Sequence, residues 1–194
     1  TVDKLRAGLP SGYSIVEGGV AAESEKGNSS VFDILPVTLG VMLLLLMLQL
    51  RRYSRMLLAL FMAPFGLPGI VMAMLPSDTP MGFVALLGAI ALAGMIIRNA
   101  VILISEVDNN LAQGMESDAA IIAAAEHRAR PIFLTACAAI LGMIPISHQA
   151  FWGPMAYAII GGLIVATLVT LTVLPASFSM LLGMGRYWKR RHAA

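Results

Sequence analysis

The chain has 194 residues, of which 58% are hydrophobic and only 12% are charged, and its mean hydropathy is +0.83. Soluble domains carry about 25% charged residues, so this composition excludes an ordinary soluble enzyme or binding domain. The formal net charge of +2 gives no reason to expect a nucleic-acid partner. A single cysteine, Cys137, excludes a disulfide within the chain.

The first residues of the chain, TVDKLRAGLPSGY, are polar. The stretch VDKLRAGL is typical of the end of a helix, and LPSG is typical of a turn. Residues 13–17 (YSIVE) are predicted to form a short strand that ends at two glycines. A helix, a turn and one strand cannot bury a core of their own. Residues 1–30 are therefore predicted to be the trailing edge of a larger α/β domain outside the membrane.

Five apolar runs follow, each about as long as the roughly 20 helical residues that cross a bilayer. The predicted architecture is an all-α membrane protein with five transmembrane helices and the lipid bilayer as its surroundings. Small residues four positions apart, such as Gly162 and Ala166 or Ala138 and Gly142, are typical of close helix packing in membranes. The predicted spans are residues 31–50, 56–75, 81–104, 131–147 and 155–184, and residues 185–194 form a basic tail.

The positions of the Lys and Arg residues predict the orientation, because cytoplasmic loops are enriched in basic residues. The order of the spans places the first loop, the third loop and the C-terminal tail on the same side of the membrane. Nine of the thirteen Lys and Arg residues lie in these three segments. The N-terminus is therefore expected outside, in the periplasm, and the C-terminus in the cytoplasm. The nine residues are Arg51, Arg52, Arg55, Arg128, Arg130, Arg186, Lys189, Arg190 and Arg191.

An external N-terminus needs something upstream to carry it across the membrane. The polar start of this sequence has none of the features of a signal peptide. We therefore expect the chain to be a fragment of a longer protein.

Arg98 is the residue within the spans that most needs explanation. A guanidinium at this depth costs at least about 2.5–3.5 kcal/mol on insertion scales, and such residues are usually functional. Alternatively, its long side chain snorkels to the cytoplasmic interface. None of the five spans has a central carboxylate to pair with it, since Asp33 lies at an outer end and Glu106 and Asp108 lie at a cytoplasmic end. A buried role for Arg98 requires a partner elsewhere.

The chain shows no sign of catalysis, of a cofactor or of a metal site. It has no HExxH, GxSxG or phosphate-binding motif. The three histidines are far apart in the sequence, and the thirteen methionines lie mostly in apolar runs, where Met is a flexible filler. We expect neither an enzyme nor a bound metal or cofactor.

Four stretches together resemble the C-terminal end of the resistance–nodulation–division (RND) permeases, closest to their hydrophobe/amphiphile multidrug branch. LPSGYSIVEGG is similar to the closing strand of the family's periplasmic porter domain. The other three are similar to transmembrane helices ten, eleven and twelve: GMIIRNAVILISEVDNN, RARPIFLTACAAILGMIPI and GGLIVATLVTLTVLPASFSM. The resemblance covers nearly the whole chain and implies that its spans are helices eight to twelve.

The resemblance also implies a mechanism, namely export of hydrophobic or amphiphilic compounds driven by the proton-motive force. In the family, a lysine of the tenth helix pairs with two aspartates of the fourth, and Arg98 falls on that lysine's position, followed by Asn99. Thr135 falls on a hydroxyl of the same proton relay, and Arg128 on a basic residue at the cytoplasmic mouth. Arginine departs from the pattern because it keeps its proton at any accessible pH.

The family implies partners as well: the N-terminal half of the permease with its aspartate pair, a homotrimer, a periplasmic adaptor and an outer-membrane channel. The implied location is the bacterial inner membrane. Related transporters of the superfamily move lipids, sterols or metal ions or assist protein export, and these functions remain alternatives. A membrane anchor or assembly subunit without transport activity is a further alternative, although it would need neither Arg98 nor a porter domain.

Overall fold

A computed structural model describes residues 20–77 and 81–191, and the regular structure in these ranges is helical. The predicted strand at residues 13–17 lies outside the described residues. The helices are α1 (Val20–Leu50), α2 (Tyr53–Met62), a 3₁₀ turn (Ala63–Gly66), α3 (Leu67–Ser77), α4 (Phe83–Ala112), α5 (Ser117–Ser147) and α6 (Gly153–Arg191).

The described residues contain five helical segments long and apolar enough to cross a membrane, which confirms the predicted five-span, all-α architecture. α2, the 3₁₀ turn and α3 together make the second of these segments. The five are Lys26–Leu50, Tyr53–Ser77, Phe83–Ala112, Ser117–Ser147 and Gly153–Gly183.

Several helices extend beyond the apolar runs that predicted them. α1 begins at Val20, eleven residues before the predicted span, and α6 continues into the basic tail as far as Arg191. α5 runs unbroken from Ser117 through Pro131, although the sequence predicted a span that starts at that proline. A proline removes one backbone hydrogen bond, which membrane helices tolerate, and the alanine-rich segment before it strongly favours helix.

The second span is broken near its middle, where the sequence reads APFGLP. A 3₁₀ turn occupies Ala63–Gly66, with Pro64 close to its start, and α3 then continues with Pro68 in its first turn. Proline has no N–H and its ring crowds the preceding turn, so two prolines only four residues apart disrupt the regular α-helical hydrogen bonding of this span. The two halves of the span are therefore joined by a tighter turn.

The core of the bundle lies around α6. This helix packs against α3, α4 and α5, whereas α1 lies at the margin and packs against α2 and α4. In the most apolar stretch of each helix, 44% of the α6 residues but only 6% of the α1 residues are buried within the chain. The outer surface of α1 consists mainly of exposed apolar side chains, as expected of a helix that faces lipid.

A close helix crossing joins α3 to α6 through glycines. A Cβ atom added to Gly69 would lie 2.8 Å from the Cα atom of Gly162 and would overlap the carbonyl oxygen of Gly161. A Cβ on Gly161 would in turn overlap the Cβ of Ala73. Only glycine lets the two backbones approach this closely, and close approach is the main source of packing energy between membrane helices.

Candidate functional site

Arg98 lies at the middle of α4, as the sixteenth of its 30 residues. Its side chain is exposed and lines a groove of about 840 Å³ between α1 and α4. The groove is mostly apolar, with Thr38 and Gln49 of α1 among its few polar residues. Within residues 20–77 and 81–191, no carboxylate forms an ion pair with Arg98. The structure therefore places this cation on an open face of the helix.

Asn99 lies on a different face of α4, because successive residues of an α-helix point about 100° apart. It is buried, with 7% of its surface exposed. Leu103, Glu106 and Asn110 follow it at helical spacing along the same inward stripe, and Leu103 and Asn110 are also buried. Arg98 therefore faces the groove, whereas the adjacent Asn99 faces the interior of the bundle.

Thr135 lies on α5 with its side chain mostly exposed. Its Oγ1 donates a hydrogen bond to the backbone carbonyl of Ile132 at 2.9 Å. Threonine commonly satisfies its hydroxyl in this way in membrane helices. In the described part of the chain no hydrogen bond joins Thr135 to Arg98 or Asn99, so the grouping of these three residues in one relay stays a prediction.

Arg128 is part of an ion pair that links α5 to α4. Its Nε donates to Oε2 of Glu106 at 3.1 Å, and its Nη2 donates to the same oxygen. The Nδ1 atom of His127 lies 4.0 Å from the other carboxylate oxygen, Oε1. Arg128 therefore has a carboxylate partner on α4 that the sequence did not predict, and its role at the cytoplasmic mouth stays a prediction.

A second ion pair links α2 to α4 at the same end. Arg55 donates through Nη1 to Oδ2 of Asp108, and both side chains are largely buried. The guanidinium carbon of Arg55 also lies 6.0 Å from the ring centroid of Phe178 on α6, at the outer limit of a cation–π contact. Sequence analysis missed this pair, although the charge pattern placed both residues on the cytoplasmic side.

Together the two pairs, Arg55–Asp108 and Glu106–Arg128, hold the end of α4 on both of its sides. We call them the cytoplasmic ion pairs. A hydrogen bond from Nδ2 of Asn110 to the carbonyl of Ala120, 3.1 Å long, closes the connection between α4 and α5. This arrangement can fix the end of α4 against α2 and α5. Among the described residues, no group of three or more His, Cys, Asp and Glu side chains is placed to hold a metal ion.

Comparison with known proteins identifies the family. The sequence profile of the AcrB/AcrD/AcrF family matches residues 1–182. The chain belongs to this family. It is the membrane region of an RND permease, and it lies in the bacterial inner membrane as a multi-pass protein. The family consists of efflux transporters.

The individual relatives of this AcrB/AcrD/AcrF chain have names that refer to different compounds. The nickel and cobalt resistance protein CnrA of Cupriavidus metallidurans is 34% identical over 87% of this chain. The multidrug resistance protein MdtC of Erwinia amylovora is 29% identical over 90% of it. A crystal structure of a heavy metal efflux pump aligns with 94% of the chain at 27% identity, with a TM-score of 0.72. The chain spans only 16% to 18% of the length of these three proteins.

Proposed function

We propose that the chain belongs to a proton-driven efflux pump in which Arg98 holds carboxylates carried by another helix of the permease. The observation that carries this proposal is the position of Arg98: midway along α4, on an open face, with no anion beside it among the described residues. Leaving a guanidinium unpaired at this depth costs at least about 2.5–3.5 kcal/mol. A counter-anion in the groove between α1 and α4 offsets part of that cost.

The expected anions are the aspartate pair on the fourth helix of the complete permease. A cation close to a carboxylate favours its ionised form. Because arginine keeps its own proton, Arg98 acts as a permanent charge and the carboxylates carry the transported proton. Protonation of the carboxylates weakens their attraction to Arg98, and this change is the electrostatic event that moves the helices.

Asn99 and Thr135 are proposed as further residues of the proton relay formed by Arg98 and the carboxylates. They differ in what each side chain must do to take part. The buried Asn99 places an amide in the interior, one residue from the cation. Thr135 needs its hydroxyl to turn away from the carbonyl of Ile132 before it can bond another group. Hydroxyl rotation in a membrane helix is inexpensive because the carbonyl keeps its own backbone donor. Thr135 is therefore the member whose contribution depends most on helix movement.

Two classes of cargo have support from named relatives. CnrA is a nickel and cobalt resistance protein, and the solved neighbour is a heavy metal efflux pump. These matches favour divalent transition-metal cations as the first candidate. Hydrophobic or amphiphilic compounds, the cargo implied by the sequence motifs, are the second candidate, supported by the multidrug resistance protein MdtC.

The proposal includes the assembly in which such a pump works. Residues 1–30 would join the membrane helices to the periplasmic porter domain, and the permease would form a homotrimer with a periplasmic adaptor and an outer-membrane channel. A membrane anchor without transport activity would need none of these partners.

The test is metal and drug susceptibility of a bacterial strain that lacks its own RND pumps and expresses the complete permease with its adaptor and channel. Nickel, cobalt and ethidium are compared, with Arg98→Ala as the variant and protein in the membrane as the normalisation. Resistance to at least one compound that disappears in Arg98→Ala supports the proposal. Resistance that Arg98→Ala retains refutes the role of Arg98, and no resistance to any of the three favours the anchor.

A further inference from the structure

Glu106 occupies an unusual position on the same helix as the proposed relay. It lies seven residues after Asn99, which is two turns along the same stripe of α4 and about 10 Å closer to the cytoplasm. Its side chain is 19% exposed, between the buried interior and the membrane surface. Of the described residues in α4, only Glu106 and Asp108 carry a carboxylate.

The two carboxylates differ in what surrounds them. Asp108 faces the permanent cation Arg55, with Arg52 nearby in the preceding turn. Glu106 faces Arg128 through one oxygen and the imidazole of His127 through the other. His127 is 72% exposed on its side chain, and imidazole is the group that exchanges protons near neutral pH. Only Glu106 thus has a proton-exchanging neighbour that reaches water.

We propose that Glu106 is a proton-exchange residue at the cytoplasmic end of α4 and that its protonation releases Arg128. A proton arriving from the interior binds Oε1, so the carboxylate becomes a neutral carboxylic acid and its ion pair with Arg128 is lost. The O–H bond then breaks as an N–H bond forms on Nδ1 of His127. The imidazolium gives its proton to cytoplasmic water, and the Glu106–Arg128 pair re-forms.

The geometry needs one small movement for this transfer. The 4.0 Å between Oε1 and Nδ1 exceeds hydrogen-bond distance by about 1 Å, and rotation of the exposed imidazole closes it. The other charged groups to consider are the Arg55–Asp108 pair between α2 and α4, and Glu126 and Arg130, which flank His127 and Arg128 in the sequence of α5. Residues 153–183 of α6 contain no Lys, Arg, Asp, Glu or His. No second carboxylate therefore competes for the proton of His127 from α6.

This inference rests on the proposed proton-driven function. Its test uses everted vesicles that contain the complete permease, so that the bath contacts the cytoplasmic face. Uptake of nickel and of ethidium is followed in parallel while the pH of the bath is varied between about 5 and 8. The variants are Glu106→Gln, which keeps the shape but cannot bind a proton as a carboxylate does, the conservative Glu106→Asp, and the matched control Asp108→Asn.

We expect Glu106→Gln to lower the rate per molecule about tenfold or more and to remove its dependence on bath pH. Glu106→Asp should restore most of the rate and the pH dependence, whereas Asp108→Asn should lower the amount of folded protein but keep the pH profile. His127→Gln should lower the rate several-fold. If Glu106 has only a structural role, Glu106→Gln will transport at the wild-type rate per molecule and with the wild-type pH profile. That result overturns the inference.

The failure of the inference can be told apart from failure of the proposed function. If Arg98→Ala abolishes uptake while Glu106→Gln transports like the wild type, only the inference about Glu106 is wrong. If Arg98→Ala transports normally, the proposed relay is wrong as well.

Discussion

Substitution of Gly69 by alanine tests whether the α3–α6 crossing holds the bundle together. The added Cβ would lie 2.8 Å from the Cα of Gly162 and 2.9 Å from the Cβ of Val165. Carbon atoms in contact lie about 3.5–4.0 Å apart, so the two helices must separate by roughly 1 Å. Overpacking of this kind costs about 1–3 kcal/mol.

The matched controls are Gly40→Ala and Gly142→Ala, because a Cβ at either position meets no atom of this chain within 4 Å. All three substitutions gain the same helix propensity, about 1 kcal/mol, so the comparison isolates the steric cost. A difference of 1–3 kcal/mol changes an unfolding equilibrium about five- to 150-fold.

The assay is unfolding of the purified permease in mixed micelles titrated with SDS. Gly69→Ala should unfold at a clearly lower SDS fraction than either control, and Gly69→Val at a lower fraction still, because a larger side chain forces a wider separation. If Gly69→Ala and Gly142→Ala unfold at the same SDS fraction, the close crossing does not stabilise the bundle and the packing described above is wrong.

Three further predictions concern topology, the cytoplasmic ion pairs and assembly. Reporter fusions after Ser54, Asn110 and Arg191 should score cytoplasmic and a fusion at Gln149 periplasmic, and a periplasmic score at Asn110 would refute the helix order. Reversing one charge of the Arg55–Asp108 pair (R55D or D108R) should lower the amount of protein in the membrane, and reversing both charges together should restore most of that amount. If the double variant is no more abundant than the single ones, the pair is not formed. The isolated 194-residue chain should show no nickel, ethidium or proton flux in vesicles, since Arg98 would lack its counter-ions, and measurable flux would contradict this.

The membrane architecture could be predicted from the sequence because run length and the Lys and Arg positions respond to the bilayer itself. The positions of the helix ends could not be predicted from the sequence. α5 begins at Ser117 rather than Pro131 because backbone hydrogen bonding continues past the apolar run into a segment that also favours helix. Of the small-residue pairs, Gly162–Ala166 is buried, with Gly162 at the close crossing, whereas Ala138 and Gly142 are exposed on α5.

The candidate site was predictable in part for similar physical reasons. Arg98 stood out because a charge in an apolar run is costly whatever surrounds it. That Arg98 and Asn99 point to different surfaces follows from the 100° turn per residue and could have been inferred. The pairing of Arg55 with Asp108, 53 residues apart, could not have been inferred from the sequence, because it depends on how the second and third spans pack. Sequence placed both residues on the same side of the membrane but gave no distance between them.

The most direct test of the central claim compares Arg98→Ala with Arg98→Lys in the complete permease, by metal and drug susceptibility normalised to protein in the membrane. If Arg98 positions a carboxylate pair, Arg98→Ala should abolish resistance with near-normal insertion, because the carboxylates lose a cation and remain protonated. Arg98→Lys should retain substantial resistance, because ammonium supplies the same charge. Wild-type resistance from Arg98→Ala would contradict the account and leave Arg98 as a residue that only reaches the membrane interface.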